Sequence, residues 1–365
     1  MDFFEHGGRN GGTNISYDFS ANINPLGMPD AATQVLQREW KRAESYPEET
    51  SRTLCEAIAR QWQAKEAQLV CTNGASELIY AAVRALKPAA GLILAPAFSE
   101  YERALLAADC PVRCFPLRRE NGFQAEESLL TFLEQQPSGS LLFLCNPNNP
   151  VGNCMDPKLS ERVLRLTARK KIWLAADETF LPFCRDYENI SMKRFYRDYG
   201  NLLIINAFTK LYAMPGLRLG YGICADREVI RQIRRQLPAW NVSVPAQLAG
   251  LAALREEDYR ERTIGYLEKA RACLIEGLKK RDKLIYRIYP PCANFIFFEG
   301  VPLEQVEQRK QAGEIGFVLQ SPEDQVVTDQ VWHELAFGLE SLGFDQAIIR
   351  RRVAEMASFF GMEDW

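Results

Sequence analysis

Histidine is nearly missing from this chain: 365 residues contain two, His6 and His333, far apart in sequence. That is too few for a histidine-rich metal site. Ten cysteines occur, but no C-x-x-C pair is among them. Cys71, Cys145 and Cys224 sit inside apolar runs, so the thiols read as buried and reduced rather than as a disulfide framework or a zinc site. No metal is expected. Nothing approaches the ~18 consecutive apolar residues that span a membrane. The opening MDFFEHGG lacks a basic segment followed by a long apolar one, so no signal peptide is expected and the location reads as cytoplasmic. Charge is also scarce in net terms, at -3. That provides no basic field for nucleic acid or a membrane surface. No G-x-x-x-x-G-K-S/T phosphate loop exists, and there are no internal repeats or low-complexity linkers.

What is there is an ordinary globular composition, 47% hydrophobic and 25% charged. The length suits one large domain with a smaller satellite. Residues 6–29 are rich in Gly, Asn and Pro, which mark turns; a loop laid over a site is one reading and a flexible leader the other. A helix is expected from Ala32 to Lys41 and another from Ser51, with Leu54, Ile58 and Trp62 on one face. Strand-like Gln68–Thr72 leads into Asn73-Gly-Ala-Ser-Glu-Leu-Ile-Tyr80. Small residues there expose backbone N–H groups at a helix start, a geometry that binds phosphate, although taken alone a simple N-cap by Ser76 is the commoner case.

Strands and helices then alternate. Strands are expected at 92–95, 112–115, 141–145, 172–176 and 202–205, with helices at 100–108, 126–134 and 157–169. Continuous apolar strands between amphipathic helices imply an α/β fold, a mainly parallel sheet covered by helices on both faces. Helices at 227–236 and across 246–280, strands at 286–289 and 295–299, and a polar tail of helical periodicity suggest a smaller α+β C-terminal domain. The expected division is 1–40 as a substrate loop and helix packing with the small domain, 41–245 as the large domain, and 246–365 as the small one.

The chemistry-bearing residues collect at strand ends, where such sheets gather ligands. They are Asn73-Gly74, Phe98, Asn146-Pro-Asn-Asn149, Asp177 and Lys210. Taken alone, Lys210 and the nearby Arg218 could be a solvated loop lysine and half an ion pair. Gly220-Tyr-Gly222-Ile-Cys-Ala225 fits a loose dinucleotide fingerprint, but the acidic residue due about 20 positions later is absent. Pyridoxal phosphate accounts for the whole rim, since it needs a lysine amine, an acid at its pyridine nitrogen and groups for its phosphate. Lys210 supplies the amine. Asp177 ends an apolar run and would be buried, where a carboxylate needs a cationic or hydrogen-bonded partner. Arg218 and the Gly74-Ala75-Ser76 amides would take the phosphate, and Phe98 would lie on the ring face.

With these motifs in place, the chain resembles the fold-type I pyridoxal-phosphate enzymes of the class I/II aminotransferase superfamily. Within them it is most similar to the branch that decarboxylates L-threonine O-3-phosphate to (R)-1-amino-2-propanol O-2-phosphate and CO2 in cobalamin synthesis. That branch is close to the histidinol-phosphate aminotransferases, whose activity on histidinol phosphate or a related phosphorylated amine is the alternative. The motifs are HGG then DFSANINPLGMP, SYPE, NGASELI, PAFSEYERAL, NPNNPVG, ADETF, FTKLYAMPGLRLGYG and ANF. The resemblance implies that Lys210 forms the Schiff base and Asp177 pairs with the pyridine nitrogen. It implies that Asn149 bonds the ring hydroxyl, that Phe98 stacks on the ring, and that Ala75, Ser76, Thr209 and Arg218 hold the phosphate. Tyr46 would join them from a second subunit, so a homodimer is implied. His6, Gly7 and Asn22 match positions that meet the substrate. Phe180, three after Asp177, is the decarboxylase form where aminotransferases carry tyrosine. Departures are Ala207 where relatives have serine, a short loop after HGG, and no tyrosine-arginine-x-alanine strand for the substrate carboxylate. The arginines after position 300 are Arg309 and the helical-looking Arg350-Arg351-Arg352.

Overall fold

A computed structural model of the chain describes Gly8 and residues 21–280, 285–300 and 345–360. Its spine is a sheet of β1 (Leu69–Thr72), β2 (Gly91–Ala95), β3 (Val112–Pro116), β4 (Leu141–Cys145), β5 (Trp173–Asp177), β6 (Leu202–Ala207) and β7 (Gly220–Cys224). The spatial order is β1-β7-β6-β5-β4-β2-β3. Every pairing from β6 through β5, β4 and β2 to β3 is parallel. β7 runs antiparallel to both of its neighbours, β1 and β6. Consequently β1 points the same way as β2 to β6.

Both faces of the sheet are buried along its central strands, as their unbroken apolar runs require, while the edge strand β3 is partly exposed. Along β4, Leu142 and Leu144 join one core cluster and Leu141 and Phe143 the other. Along β6, Leu202 and Ile204 divide from Leu203 and Ile205 in the same way. Each fully buried Leu or Ile contributes about 1.5–3 kcal/mol. The covering helices are α1 (Asp30–Glu39), α2 (Arg52–Trp62), α3 (Gly74–Leu86), α4 (Glu100–Leu106), α5 (Ser128–Glu134) and α6 (Pro157–Arg169). The short α7 (Tyr187–Ile190) and α8 (Phe208–Leu211) follow, then α9 (Arg227–Arg234), α10 (Val244–Ala253) and α11 (Tyr259–Lys279). Local chemistry sets their ends. The Asp156 carboxylate accepts from the N–H groups of Lys158 and Leu159, and Pro157 opens α6, a combination suited to a helix start.

β7 bears on the Gly-Tyr-Gly fingerprint already set aside. The Gly-Tyr-Gly run is a strand inside the sheet and not a turn opening a helix, which disposes of the dinucleotide fingerprint. Gly220 is needed there because a Cβ would lie 2.6 Å from the Ala75 nitrogen and 2.7 Å from the Gly74 carbonyl carbon. Its absence lets the start of α3 rest on the strand.

The chain divides into two compact units, residues 1–281 with 287–298, and residues 282–286 with 299–365. β8 (Ile285–Ile288) and β9 (Phe298–Gly300) form a two-stranded sheet. α12 (Gln346–Phe360) lies in the second unit with Ile349 and Val353 buried. Arg350, Arg351 and Arg352 are helical, as the tail's periodicity suggested, and Arg351 and Arg352 face Glu355. Arg309 and His333 lie outside the described residues. No described helix is long and apolar enough to cross a membrane.

Candidate active site

Because β1, β2, β4, β5 and β6 all point one way, Asn73-Gly74, Phe98, Asn146–Asn149, Asp177 and Lys210 share one rim of the sheet. Asp177 closes the central strand β5, paired with Cys145 on one side and Ile205 on the other. It is 6% exposed. Its Oδ2 accepts from the Tyr101 hydroxyl at 2.8 Å and its Oδ1 from the Thr179 N–H at 2.9 Å. A carboxylate offers about four acceptor sites, so these two neutral donors leave room for a cationic N–H. Burial, then the Asp177 charge, hold the Tyr101 phenol well above its ordinary value. The same two causes push the Cys145 thiol up to about 12. Both neighbours therefore stay protonated and face Asp177 as neutral groups.

Lys210 lies on α8, just beyond β6, and is half-buried. Desolvation is the main cause lowering its pKa; the Arg218 charge adds to it and Asp177 opposes. A lowered amine pKa increases the neutral, nucleophilic fraction. The Lys210 Nζ stands 5.4 Å from the centre of the Phe180 ring, whose edge meets Phe295 at 5.1 Å. The Lys210 carbonyl accepts from the Asn24 N–H at 3.3 Å.

The anion cup is built from glycine and arginine. Gly74 opens α3 at φ +79°, and a Cβ there would lie 2.4 Å from Arg218 Nη2. The guanidinium thus rests on a bare Cα, and any side chain would evict it. Helix α3 starts at Gly74 with Asn73 as its N-cap, so Ser76 lies inside the first turn and the Ser76 N-cap reading does not hold. The first-turn N–H groups, with Ala75 and Ser76 at their head, face the anion side of the helix dipole. Buried Thr209 precedes Lys210, and Ala207 ends β6 without a hydroxyl.

Phe98 meets Tyr101 edge-on at 5.6 Å and 82°. Asn149 sits in a loop held by its neighbours. Asn146 Oδ1 accepts from the Met155 N–H at 2.9 Å, and the Asn148 amide donates to the Pro96 carbonyl at 3.0 Å. Tyr46 is 79% exposed, and its ring partner is Trp240 at 4.5 Å. Asn22 is half-buried in the leader. His6 and Gly7 lie outside the described residues.

Four positions escaped sequence reasoning. Tyr101 lies three residues after Phe98, one helical turn on, which was the available signal. Asn24 donates to the Leu211 carbonyl at 2.7 Å and the Thr263 hydroxyl at 2.8 Å, pinning the leader beside the lysine. Asn294 buries both side-chain polar atoms without a hydrogen-bond partner among the described residues. Glu178 is fully buried, its oxygens accepting from the Met192 N–H at 2.6 Å and the Ser191 hydroxyl at 2.7 Å.

Burial pushes Glu178 from 4.5 up to about 7. Between those values the folded chain holds a proton that the unfolded chain has lost. Stability therefore falls as pH rises from about 4.5 to about 7 and levels off above. The loss is about 3 kcal/mol. Glu178→Gln is expected to flatten that slope relative to the unsubstituted chain in urea unfolding across this window. An unchanged slope would count against the assignment.

A buried acid with acceptor sites to spare, a lysine of depressed pKa and an arginine on a glycine cup fit the nitrogen, carbonyl and phosphate of one cofactor. Fold and rim together define a pyridoxal-phosphate-dependent enzyme of transferase fold type I. The family model described as aminotransferase class I and II matches residues 15–335, and the chain belongs to that family. The threonine-phosphate decarboxylase of Salmonella typhimurium is 34% identical over 279 residues, covering 76% of this chain and 75% of that protein. The histidinol-phosphate aminotransferase of Methanothermobacter thermautotrophicus is 29% identical over 326 residues, covering 87% and 83%. Among solved structures, the histidinol-phosphate aminotransferase from Clostridium acetobutylicum superimposes with a TM-score of 0.71 at 30% identity. It covers 80% of this chain and 84% of that one.

Proposed function

We propose that this chain decarboxylates L-threonine O-3-phosphate to (R)-1-amino-2-propanol O-2-phosphate and CO2, a step of cobalamin synthesis. The observation that carries the reading is Phe180, an apolar ring 5.4 Å from the Lys210 amine where aminotransferases of the superfamily place a tyrosine hydroxyl. The 34% relation to a threonine-phosphate decarboxylase supports it.

In this reading pyridoxal phosphate supplies an electron sink for the carbon that loses its carboxylate. Lys210 would hold the cofactor through its Nζ, and the same amine, its pKa lowered by burial, would be placed to carry a proton to the substrate's α-carbon. Asp177 keeps the pyridine nitrogen protonated, with Tyr101 fixing the carboxylate. Arg218, Thr209 and the amides of Gly74, Ala75 and Ser76 would hold the phosphate, Phe98 would cover the ring and Asn149 would bond its hydroxyl. His6, Gly7 and Asn22 in the leader meet the substrate. Tyr46, exposed within one chain, completes the phosphate site of a second copy, so the working form is a homodimer. Ten free cysteines support a cytoplasmic location.

A second reading, amino transfer from histidinol phosphate or a related phosphorylated amine, is favoured by the relatives of that name. One assay separates the two. The cofactor-loaded enzyme with phosphothreonine is expected to release CO2 stoichiometrically with the phosphorylated amino alcohol. Amino transfer to a keto acid without CO2 release would overturn the decarboxylase reading.

A further inference from the structure

Cys154 and Cys184 are 30 residues apart, and Cys292 lies a further 108 along the chain. The fold nevertheless brings their three sulfurs within 4.8 Å of one another. Cys184 is buried and the other two are half-buried, so the cluster is both enclosed and reachable. Cys154 and Cys184 are 3.8 Å apart at sulfur. Thiolates ~2.3 Å from one tetrahedral cation stand ~3.8 Å from each other, so this pair already has the spacing of two ligands on a shared ion. Arg271 supplies a fixed positive charge beside them, one guanidinium nitrogen donating to the carbonyls of Pro291, Cys292 and Ala293 at 3.0–3.3 Å. Three thiolates, one divalent cation and this guanidinium sum to zero charge.

We propose that Cys154, Cys184 and Cys292 form a binding site for a thiophilic divalent cation of the zinc class. Sulfur-only donors select soft and borderline cations over Mg2+ or Ca2+. Each thiol gives its proton to solvent as the cation enters, and the fourth position stays open to water or a small thiol. The consequence lies in what the three residues carry. Cys154 follows the loop of Asn149, and the Cys292 N–H bonds the Gly152 carbonyl of that loop at 2.8 Å. Cys184 ends the turn after Asp177 and Glu178, and Cys292 leads into Asn294 and Phe295. A cation there fastens three walls of the cofactor site to one another.

The test uses freshly reduced, cofactor-loaded protein titrated with Zn2+ against a chromophoric chelator, and zinc absorption-edge spectroscopy of the loaded sample. One zinc per chain is expected, with three sulfurs at ~2.3 Å. Cys154→Ser, Cys184→Ser and Cys292→Ser should each weaken binding at least ~10-fold. Cys273→Ser, at an exposed position on α11, should leave it unchanged. Zinc held by nitrogen and oxygen donors alone would overturn the proposal, as would absent zinc uptake by the reduced protein. The edge measurement needs no variant, so a misfolded mutant does not rescue the idea.

Discussion

Lys210→Ala is expected to lose covalent attachment of pyridoxal phosphate completely and to lower turnover by roughly three orders of magnitude or more. Among the described residues Lys210 is the amine on which both the buried acid and the arginine act, and alanine leaves no amine there to hold a cofactor carbonyl. Borohydride treatment followed by mass spectrometry reads the attachment directly. Cofactor fixed at another lysine, with the variant still active, would remove Lys210 from its proposed role. The depressed pKa adds a pH signature. Cofactor capture by the unsubstituted chain should rise with pH at a midpoint below that of an ordinary lysine. Because Arg218 is the second cause of the depression, Arg218→Gln should move that midpoint upward while also weakening retention of the phosphate.

Asp177→Asn should cost turnover about 10²–10⁴-fold while leaving the fold intact. Asparagine occupies the same volume and can still accept from the Thr179 N–H, and the Tyr101 hydroxyl can turn to accept from the new amide. What vanishes is the negative charge that the proposed function sets against the pyridine nitrogen. Steady-state kinetics should therefore show a fall in kcat larger than any change in KM, with an unfolding midpoint close to that of the unsubstituted chain. Turnover within about tenfold of the parent would show that the acid is structural. Removing Tyr101's hydroxyl as Tyr101→Phe should give an intermediate loss, since it releases the carboxylate without discharging it.

Much of this site could be read before any coordinates. Lys210, Asp177, Asn149 and Phe98 each follow a continuous apolar strand, and a parallel sheet sends all such ends to one rim. Strand β4 and helix α6 begin and end where the apolar periodicity placed them. Local pattern was sufficient because each of these elements is specified by residues within one or two turns of itself. β7 was not legible in the same way. Two glycines in five residues carry a poor strand propensity, and only the close approach of α3 explains them.

By itself the sequence determined the cofactor class and the mainly parallel sheet, and it put Lys210, Asp177 and Arg218 forward as the lysine, the acid and the arginine. These depend on short motifs and on hydrophobic runs, which are properties of neighbours along the chain. Tertiary structure alone decided that Tyr101 bonds Asp177, that Arg218 rests on Gly74, that Asn24 pins the leader to α8, and that Cys154, Cys184 and Cys292 converge. Each of those contacts joins residues between 76 and 187 positions apart, or closes a cluster across such a span. Such pairings leave no periodic trace in sequence, because they are set by how layers pack and not by the backbone geometry of any one element.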